Sequence, residues 1–156
     1  MERDTELRAH ISYLLKGGGA HIDPRGALKD FPSDLINAQL ANLPYTPWQV
    51  LEHLRIAQWD ILEFSRNANH VSPKFPDGYW PSRTQHADEH TWQATVDAFL
   101  ADLSEMEELI MNPATDLFAP IPHGDGQTIL REALLVADHN AYHLGSLMTM
   151  KKALAG

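Results

Sequence analysis

The chain has 156 residues, the size of one domain able to bury roughly 68–70% of its unfolded surface. It contains no cysteine, which excludes disulfides, thiolate metal sites and a protein thiol nucleophile. A net charge of −9 with no Lys/Arg cluster repels phosphate backbones, and no apolar run approaches the roughly 18 residues of a membrane span. The charged start Met1-Glu2-Arg3-Asp4 lacks the apolar region of a signal peptide. The expectation is a cytoplasmic protein acting on a small molecule, away from nucleic acid and membrane.

Residues 2–16 read as a first helix with Leu7, Ile11, Leu14 and Leu15 on one face, stopped by Gly17-Gly18-Gly19. His10 has no second histidine one turn away, so it reads as a half-buried or exposed side chain. From Ala20 to Tyr45 the chain is broken by Pro24, Gly26, Pro32 and Pro44. Within it Ser33–Leu40 starts on a capping residue and carries Leu and Ile at helical intervals, which predicts a short helix inside a crossover connection. Such a crossover lets neighbouring long helices run parallel.

Thr46-Pro47-Trp48-Gln49 is a sharp helix start, with Thr46 as N-cap, Pro47 at the first position and Gln49 closing a capping box. The helix is expected to run to about Ser65, burying Val50, Leu54, Ala57, Ile61 and Phe64. His53 lies on the flank of that stripe, one turn before the small Ala57. Taken alone it reads as a core-edge histidine satisfied by a carbonyl or a water, with metal ligation as the sharper alternative. Asp60, seven residues later, reads as a solvated or helix-pairing carboxylate that could reach the same side.

Residues 66–87 hold Pro73, Pro76 and Pro81 and form a long irregular loop. Its aromatics Phe75, Tyr79 and Trp80 read as packing that pins the segment, or as a lid. A helix from Asp88 to Met111 follows, with Trp92, Val96, Phe99, Leu103, Met106 and Ile110 on one stripe. His86 and His90 share a one-turn spacing, but they straddle its start among polar neighbours and read as a decoy. In the connection 114–127, Gly124-Asp125-Gly126 predicts a tight turn that brings His123 near one bundle end, in solvent or as an added ligand.

Thr128 caps a last helix reaching about Ala153, with Ile129, Ala133, Val136, Ala137, Leu144 and Leu147 on a broad apolar face. Arg131, Asp138 and Thr149 lie opposite. Gly145 and Ala141 are expected to let another helix approach closely. His139 and His143 are four residues apart, so their rings differ by only about 40° around the axis and about 6 Å along it. That spacing lets one cation take a nitrogen from each. The pair needs a third ligand, and His53 leads the candidates. Four amphipathic helices without strand alternation predict an all-α four-helix bundle with a crossover connection, one domain over 1–156.

The Thr46-Pro47-Trp48 start with Leu51-Glu52-His53-Leu54, and the late Asp138-His139-Asn140-Ala141-Tyr142-His143-Leu144-Gly145, resemble the DinB superfamily and its YfiT-like metal-dependent members. The resemblance implies a bundle with an unusual helix order, frequent homodimers, and a divalent metal held by His53, His139 and His143. It also implies transfer or isomerisation chemistry with a low-molecular-weight thiol in some members. One departure is Ser146, where similar proteins commonly carry glutamine.

Three imidazoles leave coordination positions open, as in catalytic rather than structural sites, and suit zinc, nickel or iron. The expected activity is that of a thiol-dependent S-transferase or a metal-dependent hydrolase, with no catalytic residue named beyond the metal ligands. The alternative is a non-catalytic bundle that binds a small ligand or partner, with metal absent or structural. A ferritin-like carboxylate site is disfavoured because no Glu-x-x-His occurs, and Gly145-Ser146-Leu147 lacks the elbow of a serine hydrolase.

Overall fold

Side-chain capping sets where the helices begin in the computed structural model, which describes residues 2–155; Met1 and Gly156, inside the expected domain span, lie outside them. α1 spans Glu2–Lys16, and Gly17 ends it at a positive φ of 67°, a conformation glycine adopts without steric penalty. A five-residue helix, α2 (Pro24–Leu28), is capped by Asp23, whose Oδ1 accepts from the Gly26 amide at 2.8 Å. Pro24 therefore starts a helix rather than breaking one. The helix expected over 33–40 shrinks to a 3-10 turn at Ser33–Leu35. Beyond it, the Ile36 carbonyl accepts from the Trp48 amide, and Asn37 exchanges two hydrogen bonds with the Ala87 backbone. These bonds tie one long connection to the other.

α3 (Pro47–Arg66) carries the expected capping box, Thr46 and Gln49 satisfying each other's backbone. Gln49 also donates to the carbonyls of Ser82, Arg83 and Gln85, so the helix start anchors the following loop. α4 (Glu89–Met111) is capped by Asp88, and α5 (Ile129–Leu154) by Thr128. Every apolar residue expected to be buried on α4 and on α5 is buried.

α3 packs mainly against α4 and α5, and so does α1, which places α1 and α3 across the bundle from each other. α3 and α4 run parallel: Leu51 and Leu54 share a cluster with Trp92 and Val96, while Leu62 shares one with Met106 and Ile110. The connection that makes neighbours parallel is therefore the loop between α3 and α4, not the segment before α3. α5 runs antiparallel to both.

Two apolar clusters are separated by a polar layer in which buried Gln58 donates to the Phe99 carbonyl at 2.6 Å and accepts from Asn140 at 2.7 Å. That layer locks α3, α4 and α5 at the level of His139. On α1 the expected face is rotated: Leu14 is 50% exposed while Arg8 is buried, donating to the carbonyls of Ile110, Asn112 and Thr115 at the end of α4. Among the described residues there is no strand, only an isolated bridge between Pro120 and Thr128, and no helix long and apolar enough to cross a membrane.

Candidate metal centre

α3 and α5 bring three imidazoles together at the seam between them. The Nε2 of His53 lies 3.1 Å from Nε2 of His139 and 3.2 Å from Nε2 of His143, although the chain separates these residues widely. At such spacings two nitrogens subtend roughly 95–100° at an ion about 2.1 Å from each, between octahedral and tetrahedral geometry. His53 is buried and its two partners are half-buried. The core-edge alternative for His53 holds in one respect only, since Nδ1 does find a carbonyl.

That carbonyl fixes the tautomer. Nδ1 of His53 donates to the Tyr79 backbone oxygen at 2.8 Å, leaving Nε2 with one lone pair that faces two other ring nitrogens. One lone pair cannot accept two good hydrogen bonds, whereas a cation at the centre satisfies all three Nε2 atoms at once, leaving the buried Nδ1 of His139 without a partner. Burial holds all three imidazoles neutral: it lowers the pKa of His53, and with the neighbouring rings it pushes His139 and His143 down to about 4. Three uncharged rings with converging lone pairs fit a divalent ion.

The loop between α3 and α4 supplies the next layer. Trp80 stacks flat on His53, centroids 3.8 Å apart and planes within 2°, and Tyr45 stacks on the far face of Trp80 at 3.7 Å. Tyr79 donates its hydroxyl to Asp60 Oδ2 at 2.6 Å, and His70 Nε2 lies 2.7 Å from Oδ1. Burial, then the adjacent carboxylate, raises the Tyr79 hydroxyl to about 12, so it stays a donor. Asp60 is thus neither solvated nor a helix-pairing group. It latches the loop whose carbonyl orients His53. Tyr79 and Trp80 act as packing on the site, while Phe75 is 81% exposed.

The remaining candidates stand apart. His123 is exposed, and its Nε2 bonds the Phe64 carbonyl at 2.7 Å, which pins the 114–127 connection to the end of α3. His10, His86 and His90 are exposed. Two clefts flank the cluster and share Trp80 as a wall. One, of about 410 Å³, reaches His53 and His139 and includes Asp60, Arg131 and Glu132. The other, of about 720 Å³, reaches His143. The stacking of Tyr45 on Trp80 and of Trp80 on His53 is not legible in the sequence, where Trp80 reads only as packing or a lid. The only signal for Trp80 was an aromatic pair, Tyr79-Trp80, held between prolines.

An all-helical bundle with a three-histidine cluster at an inner seam, free of carboxylates, defines a candidate mononuclear metal protein rather than a ferritin-like one. The chain belongs to the DinB superfamily, whose family model matches residues 24–147. No curated protein and no solved structure matches it.

Proposed function

We propose that the protein is a divalent-metal-dependent enzyme of the thiol S-transferase or hydrolase kind, with His53, His139 and His143 as the metal ligands. The observation that carries this reading is the convergence of three neutral imidazoles, the Nε2 atoms of His139 and His143 lying 3.1 and 3.2 Å from that of His53, with clefts on both sides from which a substrate can approach. A bound zinc, nickel or iron ion would lower the pKa of a coordinated water or thiol and so supply a nucleophile near neutral pH. The protein's own part is to hold the three rings neutral, orient His53 through the Tyr79 carbonyl, and shield one face of that ring with Trp80. With no cysteine in the chain, a reacting sulfur would come from a small thiol. Asp60 already accepts from Tyr79 and His70, so it serves as an anchor rather than a free base.

The test is metal analysis of protein purified without a histidine tag, followed by a screen of small thiols against electrophiles and of hydrolysable esters. One equivalent of divalent metal is expected, and His53→Ala or His139→Ala should abolish its uptake. Unchanged uptake in both variants refutes the assignment. Metal that raises thermal stability without turnover would favour the non-catalytic ligand-binding bundle.

A further inference from the structure

Gly145 sits inside α5, where glycine costs about 1 kcal/mol relative to alanine. Such a glycine normally makes room for a neighbouring helix, the role its sequence position suggested. The structure shows otherwise: a Cβ built at Gly145 would meet no atom within 4 Å. The space belongs to the larger cleft, of about 720 Å³, and lies within the volume range of small-molecule sites.

The two clefts differ in chemistry. The smaller one presents Asp60, Arg131 and Glu132. Among the described residues that line the larger one, His143 is the only acidic, basic or imidazole side chain; the rest includes Tyr45, Val50, Trp80 and Met150, with Ser146 and Thr149 as neutral polar groups. The Tyr45–Trp80 stack borders it by its ring edges, because His53 and Tyr45 cover the two faces of Trp80 and the Arg83 guanidinium lies 5.7 Å over the Tyr45 ring. An ionic ligand would enter this cleft without a counter-charge among its lining residues, whereas an uncharged body would bury apolar area against Val50, Met150 and the edges of the aromatic pair. His143 places one end of that body beside the convergent Nε2 atoms.

We infer that the cleft over Gly145 binds the uncharged, apolar part of the substrate, with a single ligating head directed past His143 to the metal. Gly145 is the residue that keeps the chamber open. The inference rests on the metal reading for the head group, while the apolar part rests on the cleft alone.

The experiment titrates 4-phenylimidazole, an aryl body with one ligating nitrogen, and plain imidazole into zinc-loaded protein by calorimetry. Gly145→Leu should leave zinc uptake and imidazole affinity unchanged and weaken 4-phenylimidazole at least tenfold. Thr149→Leu, one turn further along the same wall, should weaken it in the same selective way. Leu135→Trp, which intrudes on the smaller cleft, should not.

Equal affinity of wild type and Gly145→Leu for 4-phenylimidazole, or selective loss in Leu135→Trp instead, overturns the inference. If wild type takes up no zinc, the metal reading fails separately. The chamber is then judged by the same Gly145→Leu comparison in metal-free protein, where a loss under threefold overturns it. Sedimentation of both proteins decides the remaining occupant: a wild-type dimer that Gly145→Leu splits would mean that a second copy of the chain covers this face, and would overturn the inference.

Discussion

Replacing Asp60 with alanine tests whether the loop after α3 governs the histidine cluster. The carboxylate accepts from His70 Nε2 at 2.7 Å and from the Tyr79 hydroxyl at 2.6 Å, and both Asp60 and His70 are buried. Hydrogen bonds to a charged group are worth about 1.5–3 kcal/mol each, and relief of the carboxylate's own desolvation offsets part of the two. A net loss of about 3 kcal/mol is expected, or about 6–12 °C in Tm for a chain of this length. The loosened loop also carries the Tyr79 carbonyl that orients His53 and the Trp80 ring that covers it. Removing such outer partners weakens metal affinity by about 10–100-fold, and the lower end applies because Asp60 acts through the loop. Urea denaturation of metal-free protein and calorimetric zinc binding read the two effects. Tyr79→Phe keeps the backbone carbonyl and removes one of the two bonds, so its loss of stability should be about half. Asp60→Ala that is destabilised yet binds zinc within twofold of wild type would show the latch and the ligand to be uncoupled. An unchanged urea midpoint would show that there is no latch.

Gly145→Ala should stabilise the protein by about 1 kcal/mol, read as a higher urea midpoint, because helix propensity improves and nothing is displaced. A lower midpoint would mean that something occupies that space. Arg8→Lys should destabilise by about 2 kcal/mol or more in the same assay, since one ammonium cannot reproduce the guanidinium's simultaneous bonds to three carbonyls at the end of α4; a near-neutral result refutes that cap. In metal-free protein, His139 and His143 titrate near 4 when folded but near 6.5 when unfolded, so between those values the unfolded chain binds more protons. Their contribution to stability is complete above about pH 6.5 and is lost as pH falls towards 4. The urea midpoint should therefore drop from pH 7 to pH 5 in wild type and less so in the His139→Gln, His143→Gln double variant; equal slopes would refute the assignment.

How much of this was legible in the sequence depended on how many partners each element has. α4 meets the core along one stripe, so its single 3.6-residue period marks every buried apolar side chain and misses only the buried Thr95, whose hydroxyl donates to the Thr91 carbonyl. α3 is wedged between α4 and α5 and buries two faces. Its expected stripe therefore missed the fully buried Leu51, Gln58 and Leu62, while Ile61 and Phe64 turned out to line a cleft. On α1 the error had a non-local cause: Arg8 is drawn inward by carbonyls more than a hundred residues away, and no periodicity encodes that attraction. α2 is illegible from Pro24 and Gly26 alone, which read as breakers, because it depends on the capping Asp23 before them.

The same distinction runs through the candidate site. His139 and His143 could be paired from their spacing because one helix fixes their relation locally. His53 needed either the family resemblance or the fold, since its distance from them depends on how α3 packs on α5. Tyr79 and Trp80 lie in a segment without a regular period, and their place against His53 follows from hydrogen bonds of Gln49 and Asp60 that only the folded chain reveals. The three ring nitrogens thus sit on helices locked by the Gln58–Asn140 layer, while the groups that orient and cover them sit on a loop held at a few points. Substitution in the loop can therefore retune the centre without dismantling it. Substitution in the polar layer, as in Gln58→Ala, should move α5 against α3 and degrade ring convergence and stability together.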